Sequence, residues 1–574
     1  MKLTSALTAV GCGLMALTAL PAAPQASGEP APGGPAEYVV TYEGNAGALR
    51  RAIVESGGTV EDVNEDLNAA LVRATGPRFP DRVLAERDVT AVVPNSSVGT
   101  SEPGQPHRFV DERPTAEDRA AAAGRGTGGT DAVRPLDAGD VAADEPLADR
   151  QWDMEIIGAT ADEAHLQATG RGVRVGIIDT GVDASHPDIA PNFDAAASRN
   201  FTTDIPEIDG PCEVPSCVDP ADVDGGGHGT HVAGTVAAAR NRLGIAGVAP
   251  DATIVNVRAG QDSGYFFLYE TVNALTYAAD AGLDVVNMSF YVDPWLYNCS
   301  SRGDYLGGTV TDEELQQQRL TRRLVTEALE YAHDHGVTLV AAAGNGHTDL
   351  AAPRRFDDSS PDHPAGAARP RTVSHDCLDL PSEGPHVISV SSVGPSGAKA
   401  DYSNYGLGEV EISAPGGYLR DRFGTPQYQL PANMVLSSYP LSVARAEGLV
   451  DERDRPVDDF SVRSCDRQRR CGLYTYLQGT SMASPHVTGV AALIISTHGH
   501  PDVQGGGVSL DPDDVASILA STARDQACPI GGTVDYADEG RTPDWTATCQ
   551  GGPDDNGFYG EGIVDASSAV APLA

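Results

Sequence analysis

The chain has 574 residues with a formal net charge of -42 at pH 7, and these values argue against several classes of protein. Nucleic acids and anionic membrane surfaces are poor partners, because both carry negative charge and would repel the protein. Apolar residues make up 40% of the chain, enough for a packed interior, and the length predicts a large core domain with at least one smaller unit.

Residues 1–26 have the composition of a secretory signal peptide. Lys2 is followed by an apolar stretch from residue 3 to residue 20, and then by small residues and prolines. Two alternatives fit less well: a lone membrane anchor would need a longer apolar run, and lipid attachment at Cys12 conflicts with the apolar run that continues past it. We therefore expect an exported, extracellular protein that is not bound to a membrane.

Eight cysteines remain after the signal peptide, an even number in a chain bound for an oxidising compartment. Many pairings are open to eight cysteines, and only nearness along the sequence distinguishes among them. On that basis we predict four disulfides, which join Cys212 with Cys217, Cys299 with Cys377, Cys465 with Cys471, and Cys528 with Cys549.

Residues 37–98 have the pattern of a small α+β unit. Segments 38–42, 68–74 and 89–94 are strand-like, and segment 46–55 is helix-like. The composition then changes between residues 99 and 149 to Ala, Gly, Pro, Asp and Arg, with almost no aromatic residues. Such a segment cannot bury a core, so it is predicted to be an exposed linker that is easily cut.

Residues 150–574 alternate between helices and strands that are apolar on both faces. This alternation predicts an α/β fold with a doubly wound, mostly parallel sheet and helices on both faces. Reactive groups in such a fold collect at the carboxyl ends of the strands. The predicted strands are 173–179, 253–257, 285–289, 337–343, 387–393 and 410–414, and the predicted helices are 229–239, 268–281, 313–335 and 481–497. Three polar, Gly- and Pro-rich stretches, 293–311, 347–385 and 418–472, are predicted to be surface insertions.

Asp179 and His228 lie in two motifs that suggest chemistry. Asp179, in an Asp-Thr-Gly motif, ends a buried strand; alone it could be a turn or helix cap, although Asp183 is also available for capping. His228 opens the motif His-Gly-Thr-His-Val-Ala-Gly-Thr at a helix start, where its side chain can point into a cleft. His228 and His231 could also bind a metal, but the glutamate of a His-Glu-x-x-His motif is missing, so we interpret His231 as a packed structural histidine.

Ser481 lies in a third motif, Gly-Thr-Ser-Met-Ala-Ser-Pro-His, which opens a helix with apolar residues at helical spacing. The serine could be merely an N-cap, but a cap does not explain the other two motifs. The three motifs together resemble the Asp, His and Ser signatures of the subtilisin-like peptidase family (the subtilases, peptidase family S8), in the same order. The resemblance spans residues 151–574.

The resemblance implies a secreted bacterial serine endopeptidase with Asp179, His228 and Ser481 as its catalytic triad. Peptide bonds of proteins and peptides would be hydrolysed through an acyl-enzyme, without a cofactor for the chemistry. We expect the protein to be a monomer. An esterase of the α/β-hydrolase class would need a Gly-x-Ser-x-Gly motif and the order Ser, Asp, His, and neither is present. A catalytically inactive peptide-binding protein remains an alternative, which labelling of the serine would distinguish.

Asn345, in the sequence Ala-Gly-Asn-Gly, resembles the family's oxyanion donor. Ser289, Phe290 and Gly344 resemble the residues that bind the substrate backbone, partly by strand addition. Tyr291 departs from the family pattern, because glycine commonly stands at its position. The sequence therefore gives no preference for a substrate side chain.

Two further features are implied by the same resemblance. Gln151, Asp188 and Asn241 fall near the positions of a calcium loop in the family, and their oxygen atoms suit that cation. Residues 37–98 resemble the family's inhibitory pro-domain, a ferredoxin-like unit that covers the cleft in cis until it is cut off in the linker at 99–149.

Overall fold

The computed structural model describes residues 35–95, 114–115, 119, 145–357, 370–502 and 507–572. The predicted signal peptide and most of the predicted linker lie outside these residues. Among the helices of the described ranges, none combines the length and the apolar character needed to cross a membrane.

Residues 35–94 form an antiparallel sheet of four strands with two helices on one face. The predicted elements are present with slightly different ends. The strands run across the sheet in the order Gly58–Asn64, Ala69–Thr75, Pro35–Tyr42 and Val89–Pro94, and the helices are Ala46–Ser56 and Phe79–Leu84. The strand Gly58–Asn64 was not predicted, because most of its side chains are exposed or half-buried and give no apolar alternation.

The two faces of this small sheet pack against different partners. Val40 and Val72 point to the two helices of the same unit. Val39 and Val93 share an apolar cluster with helices of the large domain. Because successive side chains of a strand point to opposite faces, one sheet serves both contacts.

A parallel sheet of seven strands forms the centre of the large domain. Successive residues of its strand Arg174–Ile178 point to opposite faces of the sheet: Ile177 packs in one apolar cluster and Ile178 in the other. The strands run across the sheet in the order Ile412–Pro415, Val387–Val393, Thr338–Ala342, Val285–Met288, Arg174–Ile178, Thr253–Arg258 and Arg199–Asn200. The predicted doubly wound α/β fold is confirmed. The next two strands of the chain lie on one side of Arg174–Ile178, and all later strands lie on its other side, so the order of strands reverses beside it.

Helices cover both faces of this sheet. His228–Ala237 and Thr480–His498 pack on one face, and Leu268–Asp280 and Asp312–Asp334 pack on the other. These four helices match the predicted ones to within a few residues. The remaining described helices of the domain are Trp152–Ile156, Leu441–Ala446, Pro512–Thr522 and Ala566–Ala569.

The prediction of a surface insertion at 418–472 is wrong for its buried strands, while residues 422–427 are exposed as predicted. Within it, the strand Val435–Tyr439 is fully buried and pairs with Cys471–Leu477, which in turn pairs with Ser461–Cys465. This small sheet lies directly on the helix that His228 begins: a Cβ atom added to Gly234 would lie 2.4 Å from Ser437 Oγ. The missing side chain of Gly234 on the helix is therefore what allows this strand to pack so closely.

All four predicted disulfides are present. The bond between Cys299 and Cys377 joins the other two stretches that were predicted to be surface insertions, and both of its cysteines are fully buried. The second stretch also contains two antiparallel strands that pair with each other, Arg354–Asp357 and Arg371–Ser374. The described parts around these cysteines are therefore packed into the domain, so the prediction of surface insertions is corrected there.

The folded domain begins before the predicted end of the linker at Asp149. Leu147 is fully buried. The carboxylate of Glu145 accepts hydrogen bonds from the backbone N–H groups of Arg242 and Leu243, each at 2.9 Å. A single apolar residue produces no periodic pattern, so the sequence did not indicate this anchor.

Candidate active site

Asp179 and His228 meet at the carboxyl end of the strand Arg174–Ile178. His228 Nδ1 lies 2.8 and 3.0 Å from the two carboxylate oxygens of Asp179, and both side chains are buried. The backbone N–H of Thr180 also donates to Asp179, at 2.7 Å. Because a carboxylate accepts from Nδ1, that nitrogen carries the proton, and Nε2 is the nitrogen suited to accept one.

Asp224, which the sequence analysis did not single out, fixes the start of the histidine helix. Its carboxylate accepts from the N–H of Gly227 at 2.7 Å and from the N–H of Thr230 at 2.9 Å. Thr180 Oγ1 donates to it as well, at 3.0 Å. Burial raises the pKa of Asp224, while the hydrogen bonds oppose that rise. An acidic residue just before a helix start was the available signal.

Ser481 is the second residue of the helix Thr480–His498, which packs against the histidine helix. Its side chain is 5% exposed. Ser289 Oγ donates to the carbonyl oxygen of Ser481 at 3.0 Å, and Asn287 Nδ2 donates to Ser289 Oγ at 2.8 Å. Asn287 Oδ1 accepts from Ser484 Oγ at 2.8 Å. The serine helix is thus tied to the end of a neighbouring strand.

Asn345 is held by a short chain of hydrogen bonds from the serine helix. The N–H of Gly344 donates to Thr480 Oγ1 at 3.0 Å. The N–H and the hydroxyl of Thr480 both donate to Asn345 Oδ1, each at 2.9 Å. The amide oxygen therefore faces Thr480, and the amide nitrogen lies on the opposite side of the amide group. Thr480 was not recognised from the sequence as the residue that orients Asn345.

Phe290 was predicted to bind substrate, but its side chain belongs to the core. The ring stacks on Phe266 with centroids 4.0 Å apart, and the residue is 7% exposed. The backbone of the segment from Ser289 to Tyr291, and not the side chain of Phe290, is therefore the part suited to pairing with a substrate strand.

Comparison with known proteins identifies the family. The family model described as "Subtilase family" matches residues 170–562, more than half of the chain. The chain belongs to the subtilase family. Subtilases of this kind are serine-type endopeptidases, and so is this protein.

Curated relatives and solved structures of other subtilases agree. Subtilisin DY of Bacillus licheniformis is 29% identical over 63% of this chain and 88% of that protein, and thermitase of Thermoactinomyces vulgaris is 29% identical over 69% and 95%. The structure of an epidermin leader peptide processing serine protease from Staphylococcus aureus matches with a TM-score of 0.58 at 20% identity, covering 94% of this chain and all of that chain. At this identity the structural match supports the fold alone.

His231 and Asp183, which lie near the two motif residues, make structural contacts in this subtilase. His231 Nε2 lies 3.3 and 3.1 Å from the carbonyl oxygens of Val435 and Thr475, so it donates to the backbone, as predicted for a packed structural histidine. Burial lowers the pKa of His231 to about 3, as expected for a neutral structural histidine. Asp183 accepts from the backbone and the hydroxyl of Ser185, so it is the turn cap.

Gln151, Asp188 and Asn241 lie around the loop that follows the histidine helix. Asn241 Nδ2 donates to Asp188 Oδ1 at 3.0 Å, and the hydroxyl of Tyr474 donates to Asp188 Oδ2 at 2.6 Å. The amide of Gln151 exchanges two hydrogen bonds with the backbone of Ala246, at 2.8 and 3.1 Å. Within the described residues, Asn241 Oδ1 is buried and has no hydrogen-bond partner.

Proposed function

We propose that this subtilase hydrolyses peptide bonds with Asp179, His228 and Ser481 as its catalytic triad. The proposal is carried by the contact of His228 Nδ1 with both carboxylate oxygens of Asp179, at 2.8 and 3.0 Å, in a buried site. Ser481 opens the helix that packs against the helix of His228. Proteins and peptides are the substrates of the family.

In the proposed mechanism the chain's own residues carry every proton. His228 takes the hydroxyl proton of Ser481 as Ser481 Oγ attacks the peptide carbonyl carbon. Asp179 keeps Nδ1 protonated and stabilises the positive imidazolium. His228 then gives the proton to the leaving amine, and an ester remains on Ser481. Water, deprotonated by His228, attacks this ester, releases the carboxylic acid half and restores Ser481.

A fluorophosphonate probe tests the proposal directly. It reacts with an activated serine, so we expect one modified residue, Ser481, when the processed protein is labelled and mapped by peptide mass spectrometry. Heat-denatured protein, in which the three side chains are apart, should remain unlabelled. Absence of labelling in the native protein as well would contradict Ser481 as an activated nucleophile.

We further propose that Asn345 donates to the oxyanion that forms during attack. Its amide oxygen accepts from Thr480, the residue next to Ser481, which leaves the amide nitrogen as the donor. Replacing Asn345 with alanine should lower kcat on the order of 100- to 1000-fold with little change in KM, because the donor acts mainly in the transition state.

Thermal melting of the same variant separates catalysis from folding. Asn345→Ala also removes the acceptor of Thr480, which should cost about 1 kcal/mol of stability and leave the protein folded at assay temperature. A folded variant with a kcat close to that of the unchanged protein would show that Asn345 is not the donor.

We propose that Gln151, Asp188 and Asn241 hold a structural calcium ion. The residues fit it: Asn241 offers a buried oxygen without a hydrogen-bond partner, and Asp188 is a buried carboxylate whose pKa is raised by burial. Calcium would neutralise this charge and bind carboxylate and amide oxygens, as it prefers. Its part in the protein is stability, and no step of the reaction uses it.

Chelation should therefore lower the melting temperature. A site held at about 100 times its Kd contributes roughly 2.7 kcal/mol, so we expect a decrease of several degrees when calcium is removed. In an Asp188→Asn variant, melting should respond little to calcium or chelator. If the melting temperature of the unchanged protein is the same with calcium and with chelator, these residues hold no calcium.

We propose that residues 37–98 are an inhibitory pro-domain, removed after export by a cut in the linker. The side-chain amide of Asn95 donates to both carboxylate oxygens of Glu270, at 3.2 and 3.1 Å, and its oxygen accepts from the N–H of Tyr269 at 3.0 Å. Asn64 donates to Asn273 at 2.8 Å. These contacts support docking of the small unit on the helix Leu268–Asp280. We also propose that the mature protein is extracellular and monomeric.

A further inference from the structure

Two histidines and one carboxylate from three separate elements meet on the surface of the large domain. His333 lies in the last turn of the helix Asp312–Asp334, and Asp513 lies in the first turn of the helix Pro512–Thr522. His386 directly precedes a strand of the parallel sheet. One ligand atom of each side chain, a ring nitrogen or a carboxylate oxygen, lies within 4.8 Å of those of the other two. The fold therefore brings three donor groups to one point.

The three side chains contact one another in two pairs. His333 Nε2 lies 3.2 Å from Asp513 Oδ1. The rings of His333 and His386 are stacked, with their centroids 3.8 Å apart and their planes 14° from parallel. The side chain of His333 is 13% exposed and that of Asp513 is 80% exposed, and His386 is exposed as well. Ions from solvent can therefore reach the cluster, and two of its side chains are free to turn.

The ends of the two helices explain only part of this arrangement. A basic residue stabilises the last turn of a helix and an acidic residue stabilises the first turn, so His333 and Asp513 would suit their positions without any ligand. This argument does not account for His386. Its φ of +61° lies in the left-handed region, which residues other than glycine adopt uncommonly. That backbone conformation places a second imidazole against the first.

The donor atoms are those that zinc prefers. Zn²⁺ binds histidine nitrogen and carboxylate oxygen at about 2.0 to 2.2 Å, and a tetrahedral ion therefore separates its ligand atoms by about 3.3 Å. His333 Nε2 and Asp513 Oδ1 are already 3.2 Å apart. The lone pairs of the stacked rings are nearly parallel, so the exposed ring of His386 has to turn about its Cβ–Cγ bond to reach the same ion. Calcium and magnesium select oxygen ligands and fit this set poorly.

The cluster lies at the opposite edge of the sheet from the proposed triad. His386 precedes the strand Val387–Val393, whereas Asp179 follows the strand Arg174–Ile178. The strands between these two are all parallel, so their amino ends share one edge and their carboxyl ends share the other. An ion held by the cluster would join the ends of two helices to the start of a strand. Its effect would therefore be on stability and not on the chemistry.

We propose that His333, His386 and Asp513 form a zinc site, with water as the fourth ligand. The inference goes beyond the proposed function and does not rest on it. On binding, zinc replaces the proton between His333 Nε2 and Asp513, because a metal ion binds the unprotonated nitrogen. The formal net charge of -42 favours accumulation of divalent cations near the protein.

Titration of the metal-free protein with Zn²⁺ tests the site. Calorimetry is carried out with calcium in excess, so that any site made of oxygen ligands is already filled. We expect a saturable zinc site on the chain, and a melting temperature that rises by several degrees when it is filled, because zinc binds the folded state. Co²⁺ in place of zinc should give the strong visible absorption of a four-coordinate ion with nitrogen ligands. A protein that binds neither ion would overturn the inference.

The variants His386→Ala and His375→Ala locate the bound ion. Loss of His386 should weaken zinc binding by about 100-fold or more, since even a group that only supports a ligand contributes 10- to 100-fold. It should also abolish the Co²⁺ absorption and the zinc-dependent rise in melting temperature. His375→Ala is the matched control, because His375 has a side chain 56% exposed and stands outside the cluster. Its zinc affinity should equal that of the unchanged protein.

A third variant keeps the inference testable if His386→Ala does not fold. Asp513→Asn changes a side chain that is 80% exposed, and it removes the charge of the proposed oxygen ligand. We expect it to weaken zinc binding by at least tenfold and to leave the metal-free protein with an unchanged melting temperature. Zinc affinity that is the same in Asp513→Asn or His386→Ala as in the unchanged protein would show that the ion binds elsewhere, and would overturn the inference.

Discussion

Replacing Ser481 with alanine should lower kcat on the order of a millionfold, the loss measured in subtilisin when the nucleophile is removed. Without the hydroxyl no acyl-enzyme forms. The site can then only position a water molecule for direct attack on the peptide bond. Hydrolysis of a chromogenic peptide by the purified variant, compared with the unchanged protein, measures the effect. The variant should melt at nearly the same temperature, because the contact that anchors Ser481 to Ser289 uses its backbone carbonyl.

Ser496→Ala is the control for this variant. Ser496 lies on the same helix, and its hydroxyl donates to the carbonyl oxygen of Arg171 at 3.1 Å, away from the site. Its loss should leave kcat unchanged. If the protein removes its own pro-domain, Ser481→Ala should also keep residues 37–98 attached, which intact-mass measurement detects. A Ser481→Ala protein that still cuts peptides at the normal rate would remove the proposed nucleophile from consideration.

Replacing Asp179 with asparagine should lower kcat on the order of 10,000-fold at neutral pH. The variant is nearly isosteric, so His228 and Ser481 stay in place. The amide, however, cannot accept from Nδ1 through both atoms as the carboxylate does at 2.8 and 3.0 Å, and it carries no charge to stabilise the imidazolium. The imidazole then takes the wrong tautomer for accepting the serine proton. Steady-state kinetics should show the loss mainly in kcat.

Asp183→Asn provides the matched comparison for Asp179→Asn. Asp183 is a carboxylate four residues farther along, and it accepts only from the turn at Ser185 in the described contacts. Its change should alter stability by about 1 kcal/mol at most and leave kcat within a few-fold of normal. Equal losses in the two variants would mean that Asp179 acts through folding and not through His228.

The sequence predicted the fold class because the signal is local. A strand such as Val387–Val393 is apolar on both faces over its whole length, which only a sheet covered on both sides explains. The strand Gly58–Asn64 has no such pattern, since most of its side chains are exposed or half-buried in the folded protein. The segment Val435–Tyr439 was missed for the opposite reason: short, rich in small residues and surrounded by polar chain, it is buried only because a helix packs on it.

The sequence by itself predicted the roles that we propose for Asp179, His228, Ser481 and Asn345, because each lies in a motif that can be read from neighbouring residues. Only the tertiary structure decided how these residues are held and what surrounds them. The hydrogen bonds of Asn345 come from a residue 135 positions away, and the strand Val435–Tyr439 packs on the histidine helix from a stretch that looked like a surface loop. Local periodicity reports which side chains face a core, but it does not report which distant segments share it, so contacts of this kind appear only when the chain has folded.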